Sequence, residues 1–226
     1  MKKQVLVTCS LITAISLMLM GCGSQIGNSS HNNSNSVKNG EVGDVQLNTK
    51  VNDPEVEITK IAVGEANHKI YNDLSEIEDR ADLIVNVNYT GDSKTHNYLG
   101  ESGEIAYTNT LSTVEVKKTY KGDVQEKSVI GVYQPAFIEN STLSTVEGYN
   151  LMNQKGNYIL FLKKLDNETA YSIIGMYQGK FDLSISEKVV ENVTNLSSSE
   201  RIQSEYMGSN VDHFNKLKEQ VEKKYK

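Results

Sequence analysis

The chain has 226 residues, 29 of them acidic and 23 basic, so its formal charge is −6. That balance argues against nucleic acid as a partner, because holding a phosphate backbone requires concentrated positive charge. The length suits one domain with a hydrophobic core of its own, and Cys9 and Cys22 are the only cysteines.

Lys2 and Lys3 precede a nearly charge-free run from Val5 to Met20. This is the basic head and short apolar core of a cleaved export signal. A membrane span is the rival reading, yet the run falls short of the ~20 residues needed to cross the hydrocarbon core, and a tract of Gly, Ser and Asn follows at once. Leu19, Met20, Gly21 and Cys22 resemble the lipobox of bacterial lipoproteins, an aliphatic residue, two mostly small residues and a cysteine. Met20 departs from the usual small residue. The resemblance implies a signal peptide over residues 1–21 and a mature chain starting at Cys22, whose expected lipids are diacylglycerol, held as a thioether, and palmitate. It also implies the outer, extracytoplasmic face of the bacterial cell membrane, with the bilayer as partner through Cys22. Two acyl chains give stable anchoring where one does not.

With Cys9 discarded and Cys22 lipidated, no disulfide is expected in the mature chain, so packing alone must stabilise it. Removing Lys2 and Lys3 with the signal moves the formal balance from −6 to −8. Residues 22–52 then read as the lipidated N-terminus and a Gly/Ser/Asn tether, too poor in apolar side chains to offset the entropy of ordering. A flexible coil of about 30 residues spans roughly 30 Å.

The folded part is expected over residues 53–190, as a β domain, with a C-terminal helical segment over 191–226. Val56, Ile58 and Ile61 suggest a first strand near 55–63. Asp73 and Glu76 open a short helix to Arg80 with a capping-box spacing. Leu83, Val85, Val87 and Tyr89 alternate as a strand with one buried face. Gly91-Asp92 starts a polar loop to about Gly103, and a long β segment covers Glu104 to Tyr120. Its apolar residues change from odd positions (Ile105, Tyr107, Leu111) to even ones (Val114, Val116, Tyr120), which predicts a bulge near 111–113.

Lys121-Gly122-Asp123 makes a turn, and Ser128 to Tyr133 is the next strand, ended by Pro135. Residues 135–156 show no period and read as a loop in which Leu151 and Met152 plug one end of a barrel. Tyr158–Leu162, Tyr171–Met176 and Lys180–Ile185 complete a meander. Ser197 with Glu200 caps a helix, and Val211, Phe214, Leu217, Val221 and Tyr225 follow helical spacing. The fold class expected is therefore α+β: a small antiparallel OB-like β-barrel, a short helix before its second strand, and C-terminal helices.

Four segments strengthen that expectation: Ala81-Asp82-Leu83-Ile84-Val85, Val114-Glu115-Val116 through Tyr120-Lys121-Gly122, Gly156-Asn157-Tyr158-Ile159-Leu160-Phe161-Leu162, and Gly179-Lys180-Phe181. Their order resembles the netrin-like OB-fold domains, which include the tissue inhibitors of metalloproteinases. The resemblance covers about 100 residues of core positions and turns and implies fold alone. Those inhibitors block a protease zinc with a free N-terminal cysteine and are held by disulfides. Neither feature is expected here, so the zinc-blocking role is not carried over.

The chain contains no Gly-x-Ser-x-Gly, no Ser-x-x-Lys and no His-Glu-x-x-His. His31 falls in the tether, His68 and His96 in expected loops and His213 on the last helix, a scatter that reads as surface; no metal and no cofactor are expected. The acids Asp53, Glu55 and Glu57, and Glu76, Glu78, Asp79 and Asp82, read as solvated faces. Tyrosine is abundant, and Tyr98, Tyr107, Tyr133 and Tyr171 are the candidate ligand platform of the barrel; Tyr149 and Tyr177 lie nearby in the chain. The function expected is a membrane-anchored, non-catalytic binding module for an envelope protein or ligand. The alternatives are an envelope hydrolase with carboxylates assembled by the fold, and small-solute capture.

Overall fold

A computed structural model describes residues 58–166, 169–189 and 197–226. The expected signal peptide, Cys22, the tether, and residues 53–57 with the first acidic group lie outside the described residues.

The chain enters through β1 (Lys60–Gly64) and reaches α1 (Leu74–Arg80). Asp73 caps this helix by accepting the Glu76 amide at 3.1 Å, and Glu76 reaches back to the Asn72 side-chain amide at 2.9 Å. The capping box is thus offset by one residue, with Asn72 taking the returned contact. Leu74 and Ile77 are the buried face.

Two long strands follow, β2 (Leu83–Leu99) and β3 (Ile105–Lys121), paired antiparallel along nearly their whole length. The expected polar loop from 91 to 103 is therefore mostly strand. Its inward positions, Ser93 and Thr95, face Ser112 and Thr110, so the alternation is polar on both sides and leaves no hydrophobic period. The expected bulge exists, but in the partner strand: Tyr89 faces Val114 and Ser93 faces Ser112, so Thr90, Gly91 and Asp92 stand against Thr113 alone, two residues in excess. Gly91 takes φ +92°, a left-handed value that suits glycine, and Thr113 Oγ1 donates to the Asp92 carbonyl at 3.2 Å. Within β3, Thr110, Ser112, Val114 and Val116 stay buried on even positions without interruption. The odd-numbered Tyr107 and Leu111 lie on the opposite face.

β4 (Val129–Gln134) pairs with β3, and β7 (Tyr158–Lys164) with β2; β8 (Tyr171–Ile173) joins β7 antiparallel and β4 parallel. Five strands thereby close into a ring, β2-β3-β4-β8-β7, with one parallel pairing in place of the all-antiparallel arrangement expected. Val85, Val87, Val114, Val116, Val132 and Leu160, from four of these strands, form the core inside it. Every residue from Tyr158 to Leu162 is buried: Tyr158, Leu160 and Leu162 point into the ring, and Ile159 and Phe161 pack the other way. That explains the unbroken apolar run.

The expected loop 135–156 contains a hairpin, β5 (Ala136–Glu139) and β6 (Thr142–Val146), turned by Asn140 and Ser141 at φ 48° and 58°. It escapes a periodicity reading because Thr145 is buried on the same face as Leu143. β1 pairs parallel with β6, giving a second sheet, β1-β6-β5. Met152 is buried in the inner core and Leu151 packs against it.

After β8 the chain makes a 3-10 turn (Met176–Gly179) into β9 (Lys180–Asp182), so the expected strands 171–176 and 180–185 are shorter than read. Ser197 and Glu200 cap α2 (Ser198–Gln203), and α3 (Val211–Tyr225) buries Val211, Phe214, Leu217 and Val221. These join Ile77, Ile84, Phe161 and Phe181 in a second core on the outside of the ring. The fold is α+β, mostly strands with helices.

Candidate functional site

Beyond the bulge, the β2–β3 register sets Lys94 opposite Leu111, His96 opposite Asn109 and Tyr98 opposite Tyr107, and the β3–β4 register sets Leu111 opposite Tyr133. Paired residues in a sheet share a face, so these side chains stand together. It is the face opposite the one carrying Val114, Val116 and Val132 into the core.

On it the Tyr98 and Tyr107 rings stack at 4.1 Å between centroids and 18° between planes. His96 meets Tyr98 edge-on at 4.5 Å and Tyr133 at 5.3 Å, and Tyr98 lies 5.9 Å from Tyr133. Tyr133 is only 6% exposed beneath these neighbours, whereas Tyr107 is 53% and Ile105 57% exposed. Beside Tyr133, Gly131 leaves room for Leu111: a Cβ there would stand 3.2 Å from both Leu111 Cδ1 and Ala170 Cβ.

Three of the four candidate tyrosines are thus brought together. Tyr171 is not, because its partner across the parallel pairing is Val132, and it packs against the inner core. Tyr149 is buried in that core, and Tyr177 belongs to the helix-side core. His96 is the member that a loop assignment hides; read as a strand, its spacing of two from Tyr98 puts both on one face.

The inner side of the same ribbon is polar. Gln134 Nε2 donates to Ser112 Oγ at 2.6 Å, and its Oε1 accepts the Tyr149 hydroxyl and the Met152 amide, both at 2.9 Å. Thr110 Oγ1 donates to the Ala136 carbonyl at 2.7 Å.

The remaining chemistry-bearing groups hold the fold together. His213 Nε2 lies 2.7 Å from the Tyr71 carbonyl, which can only accept; Nε2 therefore carries the proton and Nδ1 accepts the Tyr177 hydroxyl at 3.0 Å. Burial raises the Tyr177 pKa well above the usual phenol range and keeps it neutral. His68, T-shaped to Tyr177 at 6.0 Å, also belongs to this region, so two of the histidines read as scattered flank one ring.

A buried charge cluster had no signal in the sequence. Glu205 pairs with Lys218 and accepts the Asp182 amide at 2.6 Å. Lys180, 3% exposed, sits 4.9 Å and 5.4 Å from the Tyr149 and Tyr158 rings. Burial pulls its amine down to about 8, with Glu205 and Asp182 opposing, and burial likewise raises the Glu205 carboxyl against Lys218 and Lys180.

Of the acids 76–82, Glu76 serves the cap, Glu78 pairs with Lys224 at 2.6 Å, and Asp82 takes Lys163 at 2.7 Å. The Lys163 hydrogen bond, followed by that of the Lys164 amide, lowers the Asp82 pKa and keeps it ionised. Among the described residues, no three His, Cys, Asp or Glu side chains gather to hold a metal, and no helix is long and apolar enough to cross a membrane. No family model, curated protein or solved structure matches the chain.

Proposed function

We propose that this protein is a lipoprotein held by Cys22 on the outer face of a bacterial cell membrane, where it acts as a non-catalytic binding module. Its ring is an OB-like barrel, and its ligand surface is the aromatic face of Tyr98, Tyr107, Tyr133 and His96. The ring order supports the barrel: first, second and third strands in sequence, then fifth and fourth, closing on the first, as in OB-type barrels. Asn-rich tether, lipobox and acidic mature chain are compatible with display away from the bilayer.

One observation carries the binding role. A folded domain usually buries its large apolar groups, yet here a stacked ring pair ends in a half-exposed Tyr107 with Ile105 beside it. Tyr133 and His96 support the pair from below, so the rings are fixed before any ligand arrives and little ordering cost attends binding.

Two measurements test this. Mass spectrometry of the protein extracted from native membranes should find an N-terminal Cys22 bearing diacylglycerol and an acyl chain, and Cys22→Ala should release it from the membrane. An unmodified thiol in membrane-held protein defeats the anchor. Native envelope fragments should retain the wild-type chain and lose the Tyr98→Ala/Tyr107→Ala double variant, whose circular dichroism stays that of wild type. Equal retention defeats the binding face.

A further inference from the structure

We infer that the aromatic face takes an uncharged, β-linked polysaccharide, bound along the β2–β3 ribbon with a sugar ring laid on Tyr107 and with Tyr98 stacked behind it. This deepens the binding reading above and depends on it.

The shape of the surface restricts the ligand first. Past the bulge β4 flanks β3 from Thr113 to Thr110, and beyond that only β2 and β3 continue side by side. Two strands at about 4.8 Å spacing over roughly 17 Å from Ile105 to Asn109, and three over roughly 13 Å from Thr110 to Thr113, present a strip of about 350 Å². A stable protein partner needs on the order of 800 Å² on each side, with an apolar centre. The strip is too narrow for that, and it matches the width of a single extended polymer.

Its chemistry restricts the ligand next. A tyrosine ring has an electron-rich face that attracts the slightly positive C–H hydrogens on the flat side of a pyranose. Tyr98 backs one face of the Tyr107 ring, which leaves the other for that contact, and β-linked pyranoses present flat faces in succession. Sugar hydroxyls also need hydrogen-bond partners, or their desolvation opposes binding. Half-buried His96, Asn109 and Lys94 stand on the same face as the rings and supply donors and acceptors at its edge.

Charge excludes the obvious competitor. A mature chain at −8 repels polyanions, and Asp92, Glu101 and Glu104 lie on or next to this ribbon. An uncharged polymer meets no such barrier.

The test titrates the full-length chain, in lipid vesicles, with three probes: a β-linked N-acetylglucosamine hexamer, a β-linked glucose hexamer, and polyphosphate. The chain has 12 tyrosines and no tryptophan, so ligand contact is read directly in tyrosine emission and checked by calorimetry. One hexamer or both should bind. Tyr107→Ala should weaken binding about tenfold or more, while Tyr107→Phe, which keeps the ring, should stay within about threefold. Saccharide binding that ignores Tyr107→Ala overturns the inference, as does preference for polyphosphate. If neither hexamer binds while envelope fragments are still held through Tyr107, the ligand class is wrong and the binding face stands. If envelope retention also ignores Tyr107, both readings fall.

Discussion

The β2–β3 hairpin is one continuous pairing with two unlike halves. From Leu83 to Tyr89 against Val114 to Lys121, its inner side is Leu, Val and Tyr, and the strands lie in a closed ring between two cores. Beyond Thr90-Gly91-Asp92 the inner side becomes Ser93, Thr95 and Asn97, and the aromatic residues stand on the other face. The bulge separates a half whose side chains stabilise the fold from a half whose aromatic side chains carry the proposed contact. Folding free energy should therefore be concentrated in the first half, and ligand binding in the second.

The largest break in that division is expected at Phe161. It is fully buried opposite Ile84 and meets Phe181 and Tyr225 edge-on at 6.2 Å and 5.9 Å, joining the ring to α3. Phe161→Ala should cost about 3 to 5 kcal/mol in urea unfolding, through lost transfer energy and a cavity. A loss below about 1 kcal/mol would mean that the helix side of the ring is loosely packed.

Next comes the buried charge cluster. Glu205→Ala leaves Lys218 and Lys180 without their carboxylate and should cost about 3 kcal/mol. Adding Lys218→Met should recover part of that loss, since the second change removes one stranded charge. If the double variant is no better than the single, the cost lies in packing around Glu205 and not in charge.

Lys180 gives a smaller, pH-dependent effect. Its amine is pulled down to about 8 in the fold and returns to about 10.4 when unfolded. Between those values the unfolded chain binds more protons, so stability rises with pH; below about pH 8 both states are charged and the burial penalty is complete. Above about pH 10 the slope reverses, because burial raises the phenols of Tyr149, Tyr158 and Tyr177 and the unfolded chain loses those protons first. From about pH 7.5 to 10, wild type should gain about 2 kcal/mol relative to Lys180→Met. A constant difference would show that Lys180 keeps its proton throughout.

What the amino-acid order reveals follows the same division. Leu83–Tyr89, Tyr158–Leu162 and the α3 stripe were legible because burial there is one-sided or complete, and hydrophobic period records burial. The distal ribbon and the β5–β6 hairpin were hidden because Ser93, Thr95, Thr110 and Thr145 take the inward positions, and a strand that buries hydroxyls has no such period. Tyr98, Tyr107 and Tyr133 could be listed from tyrosine content and neighbourhood, but only the register shows that Tyr171 turns inward. His96, two residues before Tyr98, is placed once that segment is known to be strand, whereas the Lys180–Glu205–Lys218 cluster depends on pairings between distant segments. Spacing along the chain carries no trace of those.

The smallest effect on stability belongs to the residue with the greatest proposed effect on binding. Tyr107 is more than half exposed and stacks on Tyr98 at the end of the ribbon. Its removal should change unfolding free energy by about 0.5 kcal/mol or less, as at other surface positions. Tyr133→Ala, at the buried base of the same cluster, should cost several times more, because it leaves a void beneath His96 and Tyr98. Comparing the two variants by urea unfolding and by envelope retention separates support from contact. If Tyr107→Ala destabilises as much as Tyr133→Ala, the distal half is a structural extension of the ring, and its exposed ring has no claim to a ligand.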